Sequence, residues 1–342
     1  MHLKVNFYIL ISKEMTYLKY CKTILFSLSL WYIVFVSIVL LQIGIVASGE
    51  ALWINELYTI KSSIAKSIET PKLVIVSGSN ALFGISCKMI YEETQVPCLN
   101  GATHAGLGIK YILNRAKFLI KSGDTVILPL EYAHYKSNNI PGSVLVNYVL
   151  EFDPKYLISA DLAHSIRIIT GISFNKMAEK ISYKFKPQKS IKTHYKSKNI
   201  NVFGDETGNL KSDITEKHLN ELTVLEPDQN IENYMKNSHG LQTIKSFISW
   251  CNTNNIKVIA TWPNTVWFDV YQEKDREKFF ESIKSFYQEL KIPILGEARD
   301  FMYDKSMFYD TRYHLNDVGV RQRTQQLIDL LKPYLKDIKN YK

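Results

Sequence analysis

The sequence predicts an α/β domain, with helices alternating with the strands of a parallel sheet, behind one N-terminal transmembrane helix. Three observations predict it. An uncharged stretch of membrane length lies near the N-terminus, and short apolar runs alternate with helical patterns after Pro71. Between about residues 136 and 240 that alternation breaks, which reads as a helical insertion. Composition agrees: 46% of the 342 residues are apolar and 22% charged, enough for a sizeable core and too little charge for a disordered chain. Four cysteines without a Cys-x-x-Cys pair exclude a disulfide scaffold and supply no zinc motif.

The first element is the stretch 23–47, 25 residues without a charge. As a helix rising about 1.5 Å per residue it spans about 37 Å, against a hydrocarbon core of about 30 Å. It exceeds the length of a signal-peptide core, so an uncleaved anchor is expected, with cleavage within 46–49 as the alternative. Lys4, Lys13, Lys19 and Lys22 precede it, with Glu14 the one acid among them. Positive residues stay inside, which predicts a cytoplasmic segment 1–22, a single crossing of the inner or plasma membrane, and a periplasmic or extracellular main domain.

Residues 48–70 read as a helical stalk ended by Pro71. The domain expected over 71–338 opens with a strand at 72–76, which runs into Ser77, Gly78, Ser79 and Asn80. A helix over 82–93, a strand over 96–100, a helix over 106–120 and a strand over 125–130 follow. Beyond the insertion come a helix over 243–252, a strand over 257–262, a helix over 273–290, a strand over 292–295 and a last helix over 316–335. Within the insertion, a basic run from Lys176 to Lys198 is interleaved with Tyr183, Phe185 and Tyr195, and an acidic stretch from Asp205 to Glu232 comes next. The basic run reads as a solvated loop or as a surface for an anionic glycan or lipid headgroups. The formal net charge of +9 is moderate, and nucleic acid is not an expected partner beyond a membrane.

In open parallel sheets functional residues gather where strands end and the chain enters the next helix. Ser79 stands at such a point. Its hydroxyl can face the crevice, and the following helix N-terminus can offer N–H groups to an oxyanion; alternatively it caps that helix. Ahead of the last helix, Asp310 precedes His314 by four residues. A serine hydroxyl needs a base, and the imidazole needs a carboxylate to fix its tautomer, so one loop can supply both; alternatively both residues cap the helix near Asn316. Glu131 and His134 after the third strand are candidates to line a pocket. Trp262 after the fourth strand is a candidate to stack on a sugar ring or to fill the core. His104 contacts substrate or makes a structural bond. Cys87 and Cys98 are either a disulfide, in an oxidising compartment, or two buried thiols. No His, Asp and Glu cluster has metal-ligand spacing, and neither a metal nor a cofactor is expected.

These pieces together resemble the SGNH/GDSL hydrolase superfamily. Ser77-Gly78-Ser79 stands where that family has Gly-Asp-Ser after its first strand, and Asp310 and His314 stand where it has Asp-x-x-His before its last helix, one residue further apart. The similarity covers about 72–135 and 255–335. It implies a three-layer, flavodoxin-like parallel sheet, with Ser79 as nucleophile, His314 as base and Asp310 as its orienting acid. The oxyanion donors it implies are the N–H groups of Ser79 and Gly106, with Gly101 and Gly108 as rivals and Asn80 beside them; the family's Asn donor is missing, with Glu131 in its place as a residue that lines the pocket. A single anchor before such a domain resembles the D-alanyl transfer proteins of teichoic acid assembly and the acetyltransferase partners of exopolysaccharide systems. That resemblance implies a serine-dependent O-acyltransferase or esterase modifying a cell-surface polysaccharide of the envelope through an acyl-enzyme. The implied partners are the glycan, an acyl donor and a polytopic membrane-bound O-acyltransferase. The alternative is a non-catalytic scaffold or assembly subunit of the same machinery.

Overall fold

The computed structural model describes residues 2–68, 71–185, 191–232 and 237–339. The chain forms two compact units, Met1–Ala47 with Val149–Lys189, and Ser48–Tyr148 with Ser190–Lys342. The first begins with α1 (His2–Leu40), whose stretch Thr16–Leu40 is long and apolar enough to cross a membrane. Its side chains point outward, Leu25, Phe26, Trp31 and Ile33 among them. The apolar helix ends at Leu40, before residue 47, and a turn over 41–44 follows, in which Gly44 takes a left-handed conformation, with φ of +82°, and gives its N–H to the Leu150 carbonyl at 2.9 Å.

The second unit is α/β. After α2 (Gly49–Ser67) come β1 (Leu73–Ile75), α3 (Ser79–Leu82), α4 (Cys87–Thr94) and β2 (Cys98–Asn100). Then follow α5 (Gly108–Ala116), β3 (Thr125–Leu128), α6 (Tyr132–Tyr135) and α7 (Ser143–Phe152), whose last residues belong to the first unit. The strands of β1, β2 and β3 are buried throughout, the continuous apolar pattern of a covered parallel sheet. Beneath β1 and β3 a buried ion pair joins Lys72 to Asp124 at 2.6 Å, and the same carboxylate accepts the backbone N–H groups of Lys72 and Lys121.

Two expectations change here. Helix α2 is no stalk: Ala51, Trp53, Ile54, Leu57, Tyr58, Lys61 and Ala65 recur at helical spacing and are buried, and the helix packs on β2. Its Lys61 Nζ donates to the carbonyls of Asn100, Ala102 and Gly204 at 2.6–2.9 Å, which ties α2 to the exit of β2. Burial pulls this lysine down to about 7, with Asp205 and Glu206 opposing. The helix expected over 82–93 begins only at Cys87, where Ser86 caps it by accepting from Met89 N–H, and the short α3 before it ends at Leu82.

The insertion is helical but divided. Its α8 (Tyr156–Ser159), α9 (Leu162–Thr170) and α10 (Phe174–Phe185) belong with α1, whereas the chain from 190 onward, with α11 (Glu216–Thr223), returns to the α/β unit. The basic run is split by this division, and its residues 186–190 lie outside the described residues. The sheet is then completed by α12 (His239–Thr253), β4 (Lys257–Thr261), β5 (Thr265–Val266), α13 (Lys274–Glu289), β6 (Ile294–Leu295), β7 (Met302–Tyr303) and α14 (Asp317–Lys339). The five-stranded sheet has the order β2-β1-β3-β4-β6, all parallel, and β5 pairs with β7 in a separate two-stranded sheet. From β1 the chain moves to one side for β2 and to the other for β3. That reversal opens a crevice at the carboxyl ends of β1 and β3.

Candidate active site

Ser79 lies at this reversal, partly exposed, as the first residue of α3. The ends of β1 and β3 are sewn together around it. Ser77 Oγ donates to the Pro129 carbonyl at 2.7 Å, Asn80 Nδ2 donates to the same carbonyl at 2.8 Å, and Glu131 accepts the Asn80 backbone N–H at 3.0 Å. Gly78 is required by closeness: a Cβ there would fall 2.7 Å from both Ala105 and the Glu131 carboxylate.

Opposite stands the loop before α14. Phe308 bridges to Leu315, and Tyr309 N–H bonds to the His314 carbonyl at 2.8 Å, so residues 310–313 form a tight bend. Thr311 Oγ1 accepts the His314 N–H at 3.2 Å, which curls the bend and brings His314 back over Asp310. Four-residue spacing therefore still closes the pair: His314 Nδ1 lies 2.8 Å from Asp310 Oδ1. With a carboxylate on Nδ1, that nitrogen carries the proton and Nε2 is left as the acceptor. Phe83 stacks on the imidazole, with ring centres 4.2 Å apart. The bend is fixed from outside as well, since Asn264 Nδ2 donates to the Tyr313 carbonyl at 2.6 Å and the Tyr313 hydroxyl bonds to Asp228. Below it Leu222, Val266, Tyr303, Phe308 and Leu315 form a buried cluster.

Tyr195, from the returning insertion, completes the group. Its hydroxyl donates to Asp310 Oδ2 at 2.6 Å. Burial works against ionisation of Asp310, but the hydrogen bond and charge of His314, with the hydrogen bond from Tyr195, outweigh it and hold the carboxyl below its ordinary range. Burial, then the Asp310 carboxylate, push the Tyr195 phenol up, so its oxygen keeps the proton it gives. Ser79, His314 and Tyr195 line one pocket of about 400 Å³ with Glu50, Trp53, His104 and Tyr313. Among the described residues no hydrogen bond joins Ser79 Oγ to His314; they share the pocket wall.

The remaining candidates fare differently. Gly106 N–H is given to His104 Nδ1 at 2.9 Å, Gly101 N–H to the Ile75 carbonyl at 2.9 Å, and Gly108 N–H to the Ala105 carbonyl. The glycine-rich turn thus spends its donors on its own fold, and none of the three faces the pocket as an oxyanion donor. Asn80 is buried with its side chain and N–H both engaged. Glu131, where the family carries its Asn donor, accepts the Asn80 N–H. A carboxylate has no N–H to offer. Trp262 is a core residue, 2% exposed, its Nε1 donating to the Gly296 carbonyl and its ring against Phe280. His134 is buried beside the Ala105 carbonyl and burial lowers its basicity. His104 Nε2 faces Glu50 at 2.9 Å on the pocket rim. The residues that sequence reasoning missed are Tyr195, Trp53, Glu50 and Phe83; only Tyr195, as an aromatic set within a basic run, carried any signal. Cys87 and Cys98 are joined as a disulfide between α4 and β2. No protein-family model matches the chain and neither does any curated protein, so the site is defined by its own geometry.

Proposed function

We propose that the protein is a membrane-anchored acyltransferase or esterase, built on a three-layer SGNH-like frame, in which Ser79, His314 and Asp310 act as a serine triad on acyl groups of a cell-surface polysaccharide. One observation carries this reading: the 2.8 Å His314–Asp310 pair opens on the same pocket as Ser79. Ser79 Oγ attacks the acyl carbonyl while His314 Nε2 takes its proton. The tetrahedral intermediate collapses as the proton passes to the leaving oxygen, leaving an ester on Ser79. An acceptor hydroxyl, or water in the esterase direction, then gives its proton to His314 and takes the acyl group, and His314 returns the proton to Ser79 Oγ as the ester bond breaks. Asp310 orients the ring and stabilises its charged form, and Tyr195 holds Asp310. The oxyanion donor in this reading is the N–H of Ser79 itself, which meets no acceptor among the described residues. The aromatic walls from Trp53, Tyr195 and Tyr313 suit the apolar faces of sugar rings.

In the same reading α1 is the anchor, the lysines before it keep the N-terminus in the cytoplasm, and a polytopic membrane-bound O-acyltransferase delivers the acyl group. The Cys87–Cys98 disulfide supports an oxidising, extracytoplasmic side for the α/β unit. A second reading, a non-catalytic scaffold of the same machinery, is favoured by the engaged glycine donors and by Glu131 in place of an amide. Hydrolysis of p-nitrophenyl acetate by the purified full-length protein separates the two. The triad reading expects turnover lost in Ser79→Ala and His314→Ala. No turnover in the wild type favours the scaffold, and turnover that survives Ser79→Ala contradicts Ser79 as the nucleophile.

A further inference from the structure

The helices of the first unit bury one set of apolar side chains and expose a second. On α10, Phe174, Ala178, Ile181 and Phe185 follow one another at spacings of four, three and four, a single helix face, and all are exposed, Phe185 at 80%. Met177 and Lys180, on the flank of that stripe, are buried. Helix α9 repeats the arrangement: Leu162 and Ile166 point out, while His164, Ser165 and Ile168 point in. Ile158 of α8 is 88% exposed. A helix packed on a water-soluble core shows the reverse polarity. Single exposed apolar residues are ordinary on a protein surface, but a periodic stripe across neighbouring helices is not.

The polar side is fixed inward by specific bonds. Lys180 Nζ faces Glu151 at 3.3 Å with both side chains fully buried, and Glu151 also accepts the Ala47 N–H at 3.2 Å. Lys176 Nζ donates to the Ala47 carbonyl at 3.0 Å. These contacts tie α10 to the chain that leaves α1. Helix α9 packs against α1, and the Phe174 ring stands edge-on to Phe35, centres 6.4 Å apart. Phe35 precedes Leu40, the end of the apolar helix, by five residues, about 7.5 Å of helix. The stripe therefore starts at the depth of the last turns of α1, where acyl chains give way to headgroups. Arg167 and Lys184 are exposed on the same two helices, placed to meet anionic headgroups.

We propose that the outward face of α8, α9 and α10 is a lipid-contacting surface that lies in the bilayer interface beside α1. The proposal rests on α1 as a membrane span and is independent of the chemistry at Ser79. Interfacial helices of this kind bury their apolar face about 5–10 Å into the boundary between headgroups and acyl chains.

The test uses full-length protein in nanodiscs that hold no other protein. Cys21 and Cys251 are replaced by Ser, the disulfide is kept, and an environment-sensitive dye is placed in turn at Leu162→Cys, Ile181→Cys and Phe185→Cys. Ser29→Cys within α1 and Lys217→Cys on the α/β unit serve as lipid and water references. With doxyl-labelled lipid, the three positions should be quenched at least about twofold more than Lys217→Cys, approaching Ser29→Cys. Quenching at Ser29→Cys alone overturns the proposal, including the case in which the three dyes become shielded only when a membrane protein is added, which makes the face a protein interface. No quenching at Ser29→Cys removes the span and the proposal together. Reactivity of Ser79 in the same samples is unaffected in every case, so neither failure is confused with failure of the triad.

Discussion

The two units differ in what their helices leave exposed. In the α/β unit, strands of Leu, Val and Ile are buried, and two lysines that go in with them are matched: Lys72 by Asp124 and Lys61 by three carbonyls. In the unit that contains α1, Phe174 and Phe185 face outward while Lys180 is buried against Glu151. Hydrophobic burial has no fixed direction; it follows whichever medium surrounds the surface. The α/β unit buries its strands, with the candidate site at the sheet's reversal, while the helices beside α1 keep an apolar stripe on the outside.

The largest expected effect lies in the α/β unit. Asp310→Asn keeps the shape of the loop but allows the wrong imidazole tautomer, and turnover should fall by up to about 10⁴-fold while the fold survives. The same substitution changes acid stability. Because Asp310 is held below its ordinary value in the folded state, its contribution is fully present above the unfolded value of about 3.9 and is lost as pH falls through the folded value; urea titrations in that acid range should show a flatter pH dependence for the variant. Removing one partner of a buried pair leaves an uncompensated charge, so Asp124→Ala should cost about 3–5 kcal/mol in denaturant unfolding without touching the pocket. Tyr195→Phe removes a hydrogen bond to a charged acceptor and should cost about 1.5–3 kcal/mol, with turnover reduced because Asp310 is less firmly held. The smallest effect is expected in the other unit. Phe185→Ser should alter stability in detergent by no more than about 0.5 kcal/mol, whereas a buried Phe of the α/β unit truncated to Ala costs about 3–5 kcal/mol. A large loss at Phe185 would erase the contrast between the units.

The parallel sheet was readable because its strands are continuous apolar runs separated by helical periods. The apolar helix was readable from length alone, although its end was not: it stops at Leu40, short of the last apolar residue. Asp310 and His314 were visible as types at short separation. What made them a pair was the curl through Thr311, which spacing does not report. Helix α2 was misread as a stalk because an amphipathic helix after an anchor has the same pattern whether its apolar face meets lipid, a partner or its own sheet. Tyr195 and Trp53 reach the pocket from segments distant in sequence, Trp53 from α2 and Tyr195 from the returning insertion, and long-range closure of this kind leaves no local period. Gly106 was plausible as a donor until its N–H was seen to be occupied by His104.

The central claim is that Ser79 is a nucleophile activated by His314. Labelling of the full-length protein with a fluorophosphonate, followed by mass identification of the modified peptide, tests it most directly. The account predicts one adduct on Ser79, absent in Ser79→Ala and strongly slowed in His314→Ala. A wild-type protein that stays unlabelled, or an adduct that persists in Ser79→Ala, would contradict it.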